Sequence, residues 1–365
     1  MSVIAPAFCL HCDGIDNYMI NKRQILFLTA LLATLLITQA CSVSKNTTEK
    51  PDIRKTLLWP SAPSKPRIQY MQSIHTAKNL GIEQGLFSTL VSWFTGEQQQ
   101  SLVRPTAILM TPGGILYVAD PGARGVHRFN TKESKYQLIQ GSETKALLSP
   151  IGLAPGKNKT VLVTDSRTGQ VFSLSAENDH ATPFLLDTPL QQPTGIATIN
   201  NGEYVYIVDT AQHKLLKFNG SGKLLKTIGQ RGSKPAQFNF PTMITSNNNK
   251  LMITDTLNFR VQIFDQSDQY LSQFGRVGDG SGDLARPKGI AIDSYGHIYV
   301  VDALFHNMQL FREDGTLLLS VGQRGRTAGQ FWLPSGIFID RKKNIIYVAD
   351  SFNQRIQVFK YIGSP

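Results

Sequence analysis

Six aspartates at nearly even spacing are the most regular group of chemically reactive side chains in this sequence. They are Asp120, Asp165, Asp209, Asp255, Asp302 and Asp350. Carboxylates gathered from several parts of a chain are ligands that hard metal ions prefer, so one hypothesis is a metal ring. Each aspartate also ends an apolar run, and one aspartate in every repeat is what a structural turn would require. The regularity favours the structural interpretation, and we assign no metal ligand.

Histidines form the second group that could take part in catalysis. Six follow residue 41, at His75, His127, His180, His213, His297 and His306. They form no H-E-x-x-H motif, and the sequence has no G-x-S-x-G nucleophile motif or phosphate-binding loop. His213 and His306 occupy the same kind of turn in two repeats, so histidines distant in sequence could still converge. The sequence therefore assigns no catalytic residue and no cofactor.

The aspartates and these two histidines belong to a repeat that occurs six times. Each copy opens at a proline, and these prolines are Pro105, Pro150, Pro193, Pro241, Pro287 and Pro334. The fullest copy, PSGIFIDRKKNIIYVADSFNQRIQVF, runs from Pro334 to Phe359. Successive prolines lie 43 to 48 residues apart. Repeats of this length with four short strand-like runs are typical of β-propeller blades. We therefore predict an all-β, six-bladed β-propeller.

The position of a run within the repeat predicts its place in the blade. The run after each proline is the innermost strand, where Gly195, Gly289 and Gly336 suit the crowding around a central channel. The second run is almost wholly apolar, as expected for a strand that is buried on both faces. The third run alternates between apolar and polar residues and should lie nearer the rim.

The last repeat has three runs instead of four, because the chain ends soon after the third. An open propeller would leave an unpaired strand edge, which promotes aggregation. The strand-like run Arg67 to Ile74 stands apart from the repeats. We predict that it supplies the outermost strand of blade six and closes the ring by joining the two ends of the chain.

Between this run and the first repeat, the sequence predicts one short N-terminal helix over Gly85 to Gln100. Leu86, Leu90 and Phe94 recur every fourth residue and form an apolar face. We expect this face to pack against the propeller, with a membrane surface or a partner as the alternative. The predicted organisation is thus a closing strand and amphipathic helix over residues 67–103, followed by the propeller over residues 104–361.

The repeat resembles the NHL repeat. The shared motifs are P-x-G-I-x-[ID], Y-V-x-D-x-x-N-x-R-[IV]-Q-x-F and F-G-x-x-G-x-x-x-G-x-F-x-x-P, and the resemblance covers Arg104 to Lys360. It implies an NHL-type six-bladed propeller, and the segments ahead of the repeats look like those of exported bacterial propeller lipoproteins. Amidating lyases with NHL-type propellers use histidines and a zinc ion in the channel. Too few residues match for any of those roles to be carried over.

Cations and aromatic residues should gather on one face of the propeller. Three inter-blade connections share one length, starting at Ile228, Phe274 and Val321, and they should emerge on the same face as the D-x-x-N-x-R turns. The candidate partner-binding residues on this face are Arg231, Arg276, Arg324, Arg326, Arg167, Lys214, Phe259, Phe305 and Phe352. Cations between aromatic rings can bind an anionic or sugar-like polymer. For Arg260 and Arg355, pairing with the repeated aspartates is the favoured alternative.

The N-terminal region indicates export. Residues 25–40 are mostly apolar and follow Lys22 and Arg23, as in a signal peptide spanning residues 1–40 whose true start is Met19. The segment before Cys41 resembles a lipobox, so we expect Cys41 to be lipidated and residues 41–66 to form a flexible tether. Sorting rules of this class imply an outer membrane lipoprotein that faces the periplasm, with surface exposure as the alternative.

Charge completes the functional prediction. The formal net charge of +11 is consistent with an anionic partner, with a solvated basic surface that has no dedicated partner as the alternative. We expect a monomeric, lipid-anchored binding scaffold of the cell envelope whose basic and aromatic face binds an envelope protein or an anionic polymer. Export argues against a nucleic acid partner. The alternative is a metal-dependent lyase or lactone hydrolase with its chemistry in the central channel, although the sequence favours a protein that is not an enzyme.

Overall fold

The computed structural model describes residues 57–82, 101–247 and 250–363. Within them, the strands form six antiparallel sheets, five of four strands and one of five. The innermost strand of each sheet contacts the innermost strand of the next, and that of the sixth sheet contacts that of the first. The predicted six-bladed β-propeller is therefore confirmed.

The two inner strands of the blades follow the order of the sequence. The innermost strands are Ala107–Met110, Pro150–Pro155, Pro193–Ile199, Pro241–Asn247, Pro287–Ile292 and Ile337–Asp340. The second strands are Ile115–Asp120, Val161–Asp165, Tyr204–Asp209, Lys250–Asp255, Ile298–Asp302 and Ile345–Asp350. Each second strand therefore ends at one of the six repeated aspartates.

The two outer strands complete each blade. The third strands are Gly125–Asn130, Gln170–Leu174, Lys214–Asn219, Arg260–Asp265, Asn307–Phe311 and Arg355–Tyr361. The fourth strands of blades one to five are Lys135–Ile139, Thr182–Phe184, Leu224–Ile228, Tyr270–Phe274 and Leu317–Val321. Blade six takes its fourth strand from the N-terminal side of the chain.

The hydrophobic core lies between neighbouring blades. The second strands are apolar and buried, as their sequence predicts, and a tyrosine in three of them is almost wholly buried: Tyr117, Tyr206 and Tyr299. One cluster joins Tyr206 and Val208 of blade three to Ile253 and Phe264 of blade four. Burial of apolar surface between blades therefore holds the ring together.

The glycines of the innermost strands stand where neighbouring blades approach most closely. A Cβ atom added to Gly336 would lie 1.9 Å from the carbonyl oxygen of Thr106, and one added to Gly289 would lie 2.5 Å from that of Ser335. Neither distance leaves room for a side chain. The predicted crowding around the channel is confirmed at both positions.

Strand Ile68–Ile74 closes the ring by pairing antiparallel with the third strand of blade six, Arg355–Tyr361. Ile74 lies opposite Ile356, and the Tyr70 ring meets the Phe359 ring edge-on with the centroids 5.7 Å apart. The prediction that this N-terminal strand completes blade six is confirmed. Its physical basis is the edge that the third strand would otherwise expose.

A fifth strand, Leu58–Trp59, pairs with Ile68 and Gln69 outside the closing strand. The Trp59 ring packs edge-on against Phe359, with ring centroids 5.8 Å apart. The folded body therefore includes part of segment 41–66, which composition predicts to be a tether that meets the folded body at Trp59 and Pro60. A stretch rich in Ser, Lys and Pro does not reveal a two-residue strand pair.

Helical structure in the described residues is limited to four short 3₁₀ helices. They are Ala77–Leu80, Lys157–Lys159, Thr256–Asn258 and Ser351–Asn353. The predicted helix over residues 85–100 falls outside the described residues, as do the predicted signal peptide and Cys41. In the part of the chain that is described, no helix has the length and apolarity needed to cross a membrane.

Candidate functional site at the upper face

The upper face is the end of the propeller at which the second strands finish, and the lower face is the opposite end. The turns after the second strands and the inter-blade connections meet on the upper face. The amide of Phe352 in a turn donates to the carbonyl of Trp332 in a connection at 3.2 Å, and Leu257 donates to Asn239 at 3.0 Å. The structure therefore brings together the two kinds of loop that carry the predicted site residues.

The six repeated aspartates hold these loops in place. All six are fully buried. Asp350 accepts the amide of Trp332 at 2.8 Å, and Asp302 accepts the amides of Ala285 and Arg286 at 2.8 and 2.9 Å. Their carboxylates are thus engaged by donors of the chain itself, which supports the structural interpretation. Within the described ranges, no group of three or more His, Cys, Asp or Glu side chains is placed to hold a metal ion.

Arg260 and Arg355 are structural side chains of the blades. The Nε atom of Arg355 lies 2.8 Å from Oδ2 of Asp350, and its Nη2 atom donates to the carbonyls of Thr327 and Gln330. Arg260 pairs with Asp255 at 2.9 Å in the same way. Both arginines are 5% exposed, so they clamp the adjacent connection to the blade and are not available to a partner.

The three connections of equal length share one conformation. Each contains a parallel bridge, joining Arg231 to Phe238, Val277 to Leu284 and Arg324 to Phe331. The second residue of each bridge is fully buried, which anchors the connection and leaves its first residue outward. Arg231 and Arg324 are exposed at this position, and no carboxylate pairs with either among the residues that the structure describes.

Arg276 differs from the other predicted arginines. It stands one residue before the bridge, and Val277, which is 65% exposed, takes the position of Arg231 and Arg324. The Arg276 Nε atom lies 2.7 Å from Oδ1 of Asp283 in the same connection, and this pairing raises the pKa of Arg276. Arg276 is therefore a paired cation. The repeat pattern does not indicate this ion pair, because the other two connections carry glutamine at the position of Asp283.

Arg326 belongs to a stack on the upper face of blade six. Its guanidinium carbon lies 4.6 Å from the centroid of the Trp332 ring, and the Trp332 ring lies 5.8 Å from that of Phe352. Phe352 is 48% exposed. Stacking on an indole orients the guanidinium without neutralising its charge. This part of the face therefore offers a fixed cation beside an accessible aromatic ring.

The remaining predicted site residues differ in how far their side chains are exposed on the upper face. Arg167 is exposed on blade two, and its amide donates to Asp165 at 3.0 Å. Lys214 is half-buried at the start of its strand, and Phe305 is half-buried with its amide on Asp302 at 3.0 Å. Phe259 packs partly against the core between blades four and five, so it is less available than its sequence suggested.

The second residue after the repeated aspartate is large and apolar in the last three blades, and of these three residues only Phe352 is among those predicted from the sequence. It is Leu257 in blade four, Leu304 in blade five and Phe352 in blade six, and these side chains are 41%, 51% and 48% exposed. Phe240, which is 38% exposed, and Val277 are further exposed apolar side chains in the connections of the same face, and these five residues are here called the upper patch. Leu257 and Leu304 are hard to recognise from the sequence because the same position holds glycine, arginine or alanine in the first three blades.

His213 and His306 lie beside the arginines of the connections. The Nδ1 atom of each accepts a backbone amide of the following connection, from Phe240 and Leu333 respectively, at 3.0 Å. Burial lowers the pKa of both histidines, and the nearby charges of Arg231 and Arg324 lower it further. Both rings are therefore neutral acceptors that position loops, and they stand in two blades that do not adjoin.

Lys288 is a further cation that the sequence analysis did not single out. It follows Pro287 at the upper end of an innermost strand, where three other blades carry hydroxyls that donate to the neighbouring blade: Thr106, Thr194 and Ser335. Burial lowers the pKa of Lys288, and the adjacent Arg286 adds to this effect. Its amino group pairs with no carboxylate within the described part of the chain. A cation therefore lies near the upper mouth of the channel.

A family model described as a 6-bladed beta-propeller matches residues 238–306 and 294–363. The match covers the last three blades, which also carry the clearest repeats. It agrees with the architecture, and the description gives no activity.

Among curated proteins, the chain is similar over short segments to NHL-repeat homologues and to an enzyme. It is 24% identical over 120 residues to Protein brain tumor of Drosophila melanogaster, covering 32% of this chain and 11% of that protein. It is 26% identical over 147 residues to the mouse peptidyl-glycine alpha-amidating monooxygenase, covering 36% and 15%. It is 31% identical over 83 residues to RING finger protein nhl-1 of Caenorhabditis elegans, covering 22% and 8%. The matched segments thus span a small part of each relative.

Solved structures share the fold at low sequence identity. An auxiliary nutrient binding protein from Bacteroides thetaiotaomicron has a TM-score of 0.58 at 12% identity, covering 73% of this chain and 71% of that chain. Virginiamycin B lyase from Staphylococcus aureus has a TM-score of 0.52 at 14% identity, covering 71% and 96%. One fold therefore occurs in a binding protein and in an enzyme, so fold alone does not distinguish these functions.

Proposed function

We propose that this six-bladed β-propeller, which has NHL-repeat homologues, is a binding module that holds a protein partner on its upper face. The observation that carries the proposal is the upper patch. Three consecutive blades present a large apolar side chain at the same turn position, namely Leu257, Leu304 and Phe352, each at least 41% exposed. Exposed apolar groups clustered on a surface and rimmed by charge are characteristic of protein interaction sites.

The charges around the patch favour an acidic partner. Arg231 and Arg324 are exposed beside it, and Arg326 is fixed on Trp332. Within the described residues none of the three pairs with a carboxylate, so each can bind one from a partner without breaking an existing ion pair. The combination suits a protein segment whose apolar anchors are flanked by Asp or Glu. An anionic polymer would use the arginines and leave the apolar residues without a counterpart.

The test compares how much partner the parent protein and a charge-reversed variant capture from extracts of the source membranes. The variant is Arg231→Glu with Arg324→Glu and Arg326→Glu. We expect it to lose salt-sensitive capture, because electrostatic attraction to an acidic partner becomes repulsion. The matched control reverses three exposed lower-face cations, Lys132→Glu, Arg312→Glu and Lys342→Glu, and should retain capture. Protease treatment of the captured material should degrade a protein partner. A non-protein polymer would remain after this treatment and would contradict the proposal.

The place of the module in the cell forms a separate part of the proposal. The lipobox-like segment before Cys41 suggests a lipid anchor in the outer membrane, with the propeller facing the periplasm. A Cys41→Ala variant should lose labelling by a radioactive fatty acid and move to the soluble periplasmic fraction. Retention of the label by that variant would contradict the anchor and would leave the upper-face proposal unaffected.

A further inference from the structure

The lower half of the central channel contains a cavity of about 350 Å³ that all six innermost strands line. In five of the blades, three consecutive residues of the strand line it, such as Ile196, Ala197 and Thr198 of blade three. Successive side chains of a strand point to opposite faces, so three consecutive residues meet the cavity chiefly through their backbone. The volume lies within the range of small-molecule sites, which is about 300 to 1,000 Å³.

The wall of this cavity is mainly polar because it consists of strand edges. Each innermost strand is the end strand of its sheet, so its inner edge faces the channel without a hydrogen-bonded neighbour. The side chains of Ile196, Ile244 and Ile290 pack in the hydrophobic clusters between blades. The N–H and C=O groups of these edges therefore remain available to water or to a polar ligand.

Three hydroxyl side chains add to the polar wall. Thr198 and Ser246 each donate to a backbone carbonyl, of Pro155 at 2.7 Å and of Thr198 at 3.1 Å respectively. Within the described residues, the hydroxyl of Thr245 donates to no other group. All three oxygens can still accept a hydrogen bond, and Thr245 can also donate one.

Arg341 is the one charged residue among the described residues that line the cavity. It lies in the turn after the innermost strand of blade six and remains exposed to solvent. Its Nε atom donates to the carbonyl of Ile292 at 2.9 Å, and its Nη2 atom donates to the carbonyl of Ser246 at 3.0 Å. The guanidinium is thus held across blades four, five and six at the edge of the cavity.

The positive charge of Arg341 has no carboxylate within ion-pair distance in the described part of the protein. Asp293 is the acid whose charge acts on it, but the Asp293 carboxylate binds Nδ1 of His297 at 2.8 Å and the hydroxyl of Tyr299 at 3.1 Å. Among the described residues, Nη1 of Arg341 has no acceptor. The guanidinium therefore keeps a free donor and its charge at the edge of a polar cavity.

We propose that this cavity is a binding site for a small hydroxylated monocarboxylate, such as a sugar acid. The carboxylate accepts a charge-assisted hydrogen bond from Arg341, and the hydroxyl groups take the place of water along the strand edges. One cation matches one negative charge, and the polar wall suits hydroxyl groups better than an apolar body. The cavity lies in the lower half of the channel and is separate from the upper patch.

Calorimetric titration of the full chain with glucuronate, glucose and acetate tests this assignment without any substitution. Glucose has the hydroxyl groups without the carboxylate, and acetate has the carboxylate without the hydroxyl groups. We expect saturable one-to-one binding of glucuronate, and affinities for glucose and acetate that are lower by about tenfold or more. No saturable binding of glucuronate, or an affinity equal to that of either simpler molecule, would overturn the proposal.

Substitution of Arg341 tests the role of the charge. Arg341→Gln keeps a side-chain donor but removes the charge, so it should bind glucuronate no more tightly than glucose. Lys342→Gln removes the neighbouring exposed charge and should leave both affinities unchanged. A preference for glucuronate over glucose that survives in Arg341→Gln would contradict the role of Arg341.

Chemical modification of the unsubstituted protein locates the bound ligand. Glucuronate should slow the reaction of Arg341 with phenylglyoxal several-fold, as measured by mass spectrometry of peptides, and should not slow that of Arg312, an exposed arginine of the lower face. An unchanged reaction rate of Arg341 at saturating glucuronate would overturn the assignment to this cavity. None of these results depends on the upper face, so this proposal and the proposed function can fail separately.

Discussion

The Nε atom of Arg355 lies 2.8 Å from Oδ2 of Asp350, and both side chains are buried beneath the upper face. The same carboxylate also binds the side-chain amides of Asn353 and Gln357, at 2.9 and 3.0 Å. This network fixes the connection that carries Arg324 and Arg326. The most regular residues of the repeat therefore support the site, and the residues that vary between blades form it.

Removal of Arg355 should strongly destabilise the protein. Arg355→Met leaves the buried carboxylate of Asp350 without its cation, and loss of one partner of a buried pair costs about 3 to 5 kcal/mol. Urea denaturation measures the change in unfolding free energy. The control is Arg312→Met at an exposed position, which should change stability by less than about 0.5 kcal/mol. Equal small effects of the two substitutions would show that the pair has no structural role.

The closing strand should be essential for blade six. Ile74 is fully buried opposite Ile356, so Ile74→Ala should cost about 2 to 5 kcal/mol. Met71 in the same strand is 45% exposed, and Met71→Ala should have little effect. In hydrogen exchange, the Ile74→Ala variant should lose protection first in the strands of blade six. Uniform loss of protection over all six blades would contradict this account of the closure.

The approach of neighbouring blades at the channel should exclude any side chain at Gly336. An added Cβ atom would lie 1.9 Å from the carbonyl oxygen of Thr106, so Gly336→Ala forces the blades apart and should cost about 3 kcal/mol or more. Gly113 is the matched control, because its nearest neighbour to an added Cβ is 3.7 Å away. Thermal denaturation compares the two variants. A Gly336→Ala protein as stable as Gly113→Ala would refute the close approach.

The two turn histidines should make stability depend on pH. The folded state lowers the pKa of His213 and His306, so the unfolded chain takes up protons first when the pH falls. Their contribution is complete above about pH 6.5 and decreases as the pH falls from there towards the folded pKa. Glutamine stands at the same position in blade six as Gln354. The His213→Gln, His306→Gln protein should therefore lose less stability between about pH 7 and pH 5.

Urea denaturation at several pH values measures this difference. Carboxylates titrate in both proteins, so the informative quantity is the change in slope between the parent protein and the double variant. Identical slopes would show that the histidines do not exchange protons on unfolding.

Much of the fold is predictable because the blade pattern occurs six times in the sequence. The prolines, the six aspartates and the apolar second runs predict the number of blades, and the three runs of the last repeat predict that Arg67 to Ile74 closes the ring. The strand Leu58–Trp59 could not be anticipated, since two residues carry no periodicity. Its formation depends on the packing of Trp59 against Phe359, a residue some three hundred positions away.

The site was less predictable because it depends on residues that depart from the repeat. The sequence identified Arg231, Arg324 and Arg326, but the pairing of Arg276 with Asp283 and the partial burial of Phe259 follow from the path of individual loops. Leu257 and Leu304 were missed because apolar residues usually indicate core, and only the turn geometry places them outside. The cavity in the central channel, which Arg341 lines, forms only where all six innermost strands converge. No single repeat of the sequence indicates it.

Photocrosslinking from the upper patch in intact source cells tests the central proposal most directly. A photoreactive amino acid at Leu304 should give one discrete protein adduct, and the same group at Leu225, which is 48% exposed on an outer strand, should not give it. The adduct should disappear when Arg231, Arg324 and Arg326 are replaced by glutamate. An adduct that forms equally from both positions, or that survives the charge reversal, would contradict a partner-binding upper face.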